Sequence, residues 1–193
     1  WSLYLQNLHF DEKAIGQLMA IAMLTRIFAP NFWGYLADNT GKRIELVRLG
    51  ALMVTVFWAG VFFVGQHFWL MAAVLFCYSF FQNAILAQFE AVTISHLQEQ
   101  RADYGQIRLW GSLGFIATVA GLGVLFDWIA ITWLPVTLLL CAAIATAVSF
   151  MIPAPPRQSS YQPRQPLLAT LRQNKVWRFF VVHFLLQLSH APY

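Results

Sequence analysis

Glu90 and Arg108 stand eighteen residues apart and flank one polar stretch of chain. Arg108 is the natural partner of Glu90. A carboxylate within an apolar run is costly when charged, unless a partner or a wet cavity relieves it. Glu90 sits in such a run, Gln88-Phe89-Glu90-Ala91-Val92. Ser79, Asn83 and Glu90 fall on one helical face, with Gln82 nearby. A polar stripe on an apolar helix reads as a cavity wall. The alternative is a carboxylate near the end of a span, snorkelling to water. Arg108 has its own alternative, a basic anchor at the membrane surface.

Arg26 lies near the middle of another apolar run. A guanidinium at mid-bilayer is expected to face the bundle interior. It can grip a carboxylate solute in bidentate fashion, pair structurally with Glu90, or snorkel to the surface. His183, Gln187 and His190 recur at i, i+4 and i+7 and share a face. They can handle solute or protons, or serve as interhelical hydrogen-bond partners.

These residues need elements to position them, and hydropathy supplies the elements. A first span ends at Trp1 to Leu5, and Gln6 to Lys13 is a polar loop. Spans follow at about 14–36, 44–65, 68–94, 105–126 and 129–152. Gln66-His67 and Asp127-Trp128 are turns, and 95–104 is a polar loop. Residues 153–175 are rich in Pro, Gln, Ser and Arg and read as a flexible linker. A last apolar segment opens near Val176. The expected organisation is therefore a helical bundle over 1–152, a linker over 153–175, and the start of a further span over 176–193.

Composition agrees with a bilayer as solvent. The chain is 59% hydrophobic and 10% charged, with a mean hydropathy of +0.59, against about 25% charged in soluble domains. The net charge of +4 is spread over loops, so no nucleic-acid surface is expected. Ten of the twelve Lys and Arg gather on or near one side, which is expected to be cytoplasmic. Cys77 and Cys141 lie in apolar runs and read as small hydrophobes. No metal-ligand spacing is present, and no cofactor is expected. Intramembrane hydrolysis would need a Ser/His, paired-Asp or metal set within spans, and none appears. The chain is expected to be a fragment cut inside two spans.

Between the first two full spans lies Gly34-Tyr35-Leu36-Ala37-Asp38-Asn39-Thr40-Gly41-Lys42-Arg43, which reads as a short charged loop. It resembles the loop between the second and third helices of the major facilitator superfamily, written Gly-x-Leu-Ala-Asp-Arg-x-Gly-Arg-Lys. Asn39 replaces the arginine after the acid. The resemblance implies an all-α membrane bundle, the N-terminal half of a two-half transporter, in a bacterial inner membrane. It also implies that Gly34, Asp38, Gly41, Lys42 and Arg43 latch one conformation. Gly34 and Gly41 would allow close approach and a tight turn, and Asp38 would face a helix N-terminus or Arg43. Gly111, Gly114, Gly121 and Gly123 thin one side of the fifth span, as close helix packing requires.

Within that superfamily, the Glu90/Arg108 spacing and Tyr104-Gly105-Gln106-Ile107-Arg108-Leu109-Trp110-Gly111 are similar to the lactose permease type, where such a pair binds the sugar. Residues 103–112 and 177–191 look closer to the phenylpropionate permease branch, which neighbours the nucleoside–proton symporters. The resemblance implies proton-coupled symport of a small organic solute by alternating access, with an aromatic acid favoured and a nucleoside or sugar as alternatives. Arg26, Asn83, Glu90, Arg108, Gln187 and His190 would contact solute or protons. The remaining half of the transporter and the lipid bilayer would be its partners. The rival of another class is a non-transporting membrane scaffold.

Overall fold

The computed structural model describes residues 1–97, 104–153 and 174–190; of the last stretch, the side chains of 174, 175, 179, 183 and 187–190 lie outside the described residues. The described residues are helical, and five helices are long and apolar enough to cross a membrane. The order is α1 (Ser2–Asn7), α2 (Glu12–Thr40), α3 (Arg43–Ala59), α4 (Val61–Val64), α5 (Phe68–Leu97), α6 (Tyr104–Trp128), a 3-10 turn (Ile131–Trp133), α7 (Leu134–Met151) and α8 (Asn174–His190). Two compact units result, 1–156 and 157–193. The second contains α8, and the expected linker falls largely on 154–173, outside the described residues.

Helix α2 begins where Asp11 Oδ1 accepts from the amide of Ala14, a cap that contributes about 1 kcal/mol. It ends at Gly41, whose φ of +67° is left-handed and whose amide bonds the Ala37 carbonyl. The expected loop over 34–43 is therefore corrected: Gly34 to Thr40 are helical, and the connection to α3 is only Gly41-Lys42. Gly34 alone does not break a helix, because neighbouring turns keep their hydrogen bonds. Only Gly41 needs the glycine-favoured conformation.

The next expected span, 44–65, is observed as the apolar stretch Arg43–Val64, with a local turn at Gly60 between α3 and α4. Gly60 ends α3 with its amide bonded to Phe57 O at 3.0 Å. A side chain there would meet Phe57 O at 2.9 Å and Val74 Cγ2 at 3.2 Å.

Helix α5 is the centre of the first unit, packed on α2 along one flank and on α3 along another. Ala29, Trp33, Ala37, Leu46 and Ala84 form one buried cluster among α2, α3 and α5. Trp33 Nε1 donates to Phe80 O at 3.0 Å, so the ring's polar edge is satisfied inside apolar surroundings. Leu5, Leu18, Trp58, Met71 and Leu75 form a second cluster at the opposite end of the bundle. Gly50 brings the α3 backbone against α5; a Cβ there would lie 3.1 Å from Ile85 Cγ1.

Helix α7 lies antiparallel to α3 and is tied to it at three levels. Trp58 Nε1 donates to Pro135 O at 2.9 Å. Thr55 and Thr146 hydroxyls meet at 2.9 Å. Arg48 Nη2 donates to Ile152 O at 2.8 Å, past the C-terminus of α7. A cation there satisfies orphan carbonyls and complements the helix dipole.

Helix α6 has no buried residue among those described. Gly111, Gly114, Gly121 and Gly123 have nothing within 4 Å of where a Cβ would stand. The expected close packing of this glycine face is thus absent among the described residues. The close approach is made by Gly50 instead.

Candidate functional site

Thr25 on α2 and Asn83 on α5 are the polar contact from which the site is built. Asn83 Nδ2 donates to Thr25 Oγ1 at 3.2 Å and to Ser79 O, on its own helix, at 2.7 Å. Thr25 is fully buried and donates to Ala22 O at 2.8 Å. Packing of Leu18, Thr25 and Ala29 against α5 makes these residues the inner stripe of α2. Serine and threonine are common at such interfaces because they let helices approach and can bond across them.

Arg26 follows Thr25 and so projects about 100° around the helix from it. It is exposed, not directed into the described bundle. Among the described residues Thr25 occupies the buried place. Pro30 has no amide proton for the carbonyl of Arg26, so the helical ladder is open at this point.

Glu90 is half-buried on α5, two turns beyond Asn83, an axial rise of about 10 Å. Ser79 and Asn83 share its side of the helix, as the spacing predicts. Gln82 faces elsewhere. It lines an apolar cleft of about 470 Å³ between α3, α5 and α7, with Val47, Trp58, Tyr78 and Phe89. Arg26, Asn83 and Glu90 do not line that cleft.

The expected Glu90–Arg108 pair is not formed: the ion pairs among the described residues are Lys42–Glu45 and Asp38–Arg43. Arg108 is exposed near the start of α6. The reason is that α6 buries none of its residues, so no packing directs that side chain toward α5. The side chains of Gln187 and His190 lie outside the described residues.

At the α2–α3 connection, Arg43 Nη2 meets Asp38 Oδ1 at 2.6 Å and Nη1 donates to Gln88 Oε1 at 3.2 Å. Lys42 pairs with Glu45 at 3.1 Å. Gln88 is buried, and sequence reasoning missed it. Its signal was a polar residue on the α3-facing side of an apolar helix. Gly34 has open space around it and makes no close approach. No cluster of three or more His, Cys, Asp or Glu suited to a metal occurs among the described residues.

Five apolar helices, two of them joined by an acid–base turn of this form, have a counterpart among known families. The model of the MFS_1-like family matches residues 1–193, the whole chain. The chain belongs to the MFS_1-like family. As a member it is an integral membrane protein with an all-α helical bundle. It is 33% identical over 150 residues to a maltose permease of Geobacillus stearothermophilus, covering 75% of this chain and 38% of the relative. It is 28% identical over 203 residues to a probable 3-phenylpropionic acid transporter of Escherichia coli, covering 100% of this chain and 52% of the relative. An uncharacterised transporter of Bacillus subtilis is 30% identical over 123 residues, covering 63% of this chain and 31% of the relative. This MFS_1-like chain thus spans about half or less of the length of the relatives it matches. Those relatives are named as permeases and transporters, not enzymes. No solved structure matches it.

Proposed function

We propose that the full-length protein is a secondary transporter that moves a small organic solute together with protons by alternating access. The supporting observation is the meeting of α2 and α5 at Thr25 and Asn83, with Arg26 beside it and Glu90 two turns away. Charged groups inside spans are costly and mark solute or ion pathways. Arg26 makes no ion pair among the described residues, so its cation is open to a solute anion or to a carboxylate elsewhere in the protein. Glu90 is the proton-handling candidate, because protonation removes the cost of its charge and can be linked to solute occupancy. Arg108, Gln187 and His190 are proposed to complete the site from further helices.

The Asp38–Arg43–Gln88 contact is proposed as the latch, with Gly41 and Lys42 forming its turn and Gly34 in the preceding helix. Asn39 at the position of an arginine in the family pattern leaves this latch one cation short. A bacterial inner membrane is the proposed location. The names of the relatives support two solute classes, an aromatic acid through Arg26 and a sugar through Asn83 and Glu90.

Uptake of a labelled solute by the full-length protein in proteoliposomes, with and without an imposed proton gradient, tests the reading. Gradient-driven accumulation is expected. A protein that accumulates no solute under any gradient is instead the scaffold of the rival reading.

A further inference from the structure

The polarity of the Asn83 amide is fixed by the chain around it. Ser79 O can only accept, so the amide atom 2.7 Å from it is the nitrogen. The same nitrogen reaches Thr25 Oγ1 at 3.2 Å. Thr25 gives its own proton to Ala22 O, which leaves its oxygen to accept. Two backbone carbonyls, one on α2 and one on α5, therefore set the direction of the whole relay. Both amide protons of Asn83 are engaged. Turning the group over would place its oxygen against two oxygens, in a spot where Thr25 is fully buried.

What remains to Asn83 is Oδ1. No hydrogen bond to it is formed among the described residues, and no buried side-chain oxygen or nitrogen lacks a partner. Oδ1 is therefore accessible, and it can only accept. Glu90, two turns along the same side of α5, also accepts when ionised. Asn83 and Glu90 offer acceptors at two levels of α5, and Arg26, next to Thr25 in the sequence, carries donors.

We propose that Asn83 is a specificity-determining residue which presents an acceptor-only carbonyl to the solute, selecting solutes that carry a hydroxyl or N–H donor, with Ser79 O fixing this polarity and Thr25 as the positioning residue that takes the second amide proton. The proposal rests on the transport reading above. It favours a hydroxylated solute, such as a sugar, over a carboxylate whose remaining surface is hydrocarbon. An ionised arylpropionate can satisfy Arg26 but brings no donor to Asn83. The carbonyl, stripped of water and left unpaired, then disfavours it.

The test uses full-length protein in detergent, with binding titrated for four probes: maltose, uridine, 3-phenylpropionate and 3-(4-hydroxyphenyl)propionate. Maltose, uridine and 3-(4-hydroxyphenyl)propionate bring a hydroxyl or N–H donor, and ionised 3-phenylpropionate brings none. 3-Phenylpropionate is expected to bind at least about 10-fold more weakly than its hydroxylated counterpart. Asn83→Leu removes the carbonyl and keeps the side chain's branching; the preference should fall toward unity while 3-phenylpropionate binding persists. Thr25→Ser keeps the acceptor and should keep the preference, which separates polarity from a general packing defect. Equal affinity for the two arylpropionates, or a preference that Asn83→Leu leaves untouched, overturns the proposal. Absence of gradient-driven uptake of any solute counts against the transport reading itself, so the two failures are distinguishable.

Discussion

Arg43 reaches across from the start of α3 to Gln88, in the interior of α5, with Nη1 and Oε1 3.2 Å apart. The same guanidinium holds Asp38 of α2 at 2.6 Å. One side chain therefore joins the ends of two spans to the C-terminal half of a third. Its carboxylate partner is half in water, so that ion pair by itself contributes only about 0.5 kcal/mol. The bond to the buried Gln88 is less screened and carries more of the restraint.

Asp38→Asn is expected to slow solute transport several-fold while leaving solute affinity nearly unchanged. Gln88→Leu should act in the same direction. Both act on the balance of conformations and not on the solute site. Uptake rates and solute titrations on the same preparations check this. A collapse of affinity with an unaltered conformational balance would remove the latch.

Glu90→Gln is expected to abolish solute-driven proton uptake or solute binding, whereas His67→Gln should do neither. Glu90 is half-buried within a span, and His67 is exposed in the turn before α5. Solute-induced alkalinisation of a weakly buffered cell suspension reads the first property, and titration reads the second. If the Glu90→Gln protein kept both, Glu90 would be structural.

Gly50→Ala is expected to destabilise the protein by about 1–3 kcal/mol, because the added methyl would stand 3.1 Å from Ile85 Cγ1 and 3.5 Å from Phe81 O. Gly111→Ala should be neutral or stabilising by a few tenths of a kcal/mol, since its site is open and alanine is the better helix former. Thermal unfolding of the two variants in one detergent compares them. Greater loss at Gly111 would show that α6 carries the closer helix contact.

Single cysteines at Gln98 and Gln158, in a background lacking Cys77 and Cys141, are expected to resist impermeant thiol reagents in intact cells. The bases cluster at that end of the spans, as the positive-inside rule requires of cytoplasmic segments. Labelling of both positions from outside would invert the topology.

The sequence by itself determined the apolar spans and the presence of a break between α2 and α3, which the structure shortens to Gly41-Lys42. These depend on sums along the chain: runs of about 20 apolar residues, and a glycine where only a left-handed residue ends the helix. Asp38–Arg43 was legible for the same reason, since the two residues are five apart and span one short turn. Periodicity also placed Asn83 and Glu90 on a common side of α5. What it left undecided was direction. Arg26 and Thr25 differ by one position, and only the packing of α2 on α5 decides which is buried. Gln82 and Gln88 are both amides on an apolar helix, yet one lines a cleft and the other takes a hydrogen bond from Arg43. Glu90 and Arg108 had the spacing of a pair, but spacing sets reach and not orientation, and α6 buries nothing that would aim its arginine. Tertiary structure decided these because burial of a helix face depends on which neighbour approaches it, a property of non-local contacts that no local window of sequence contains.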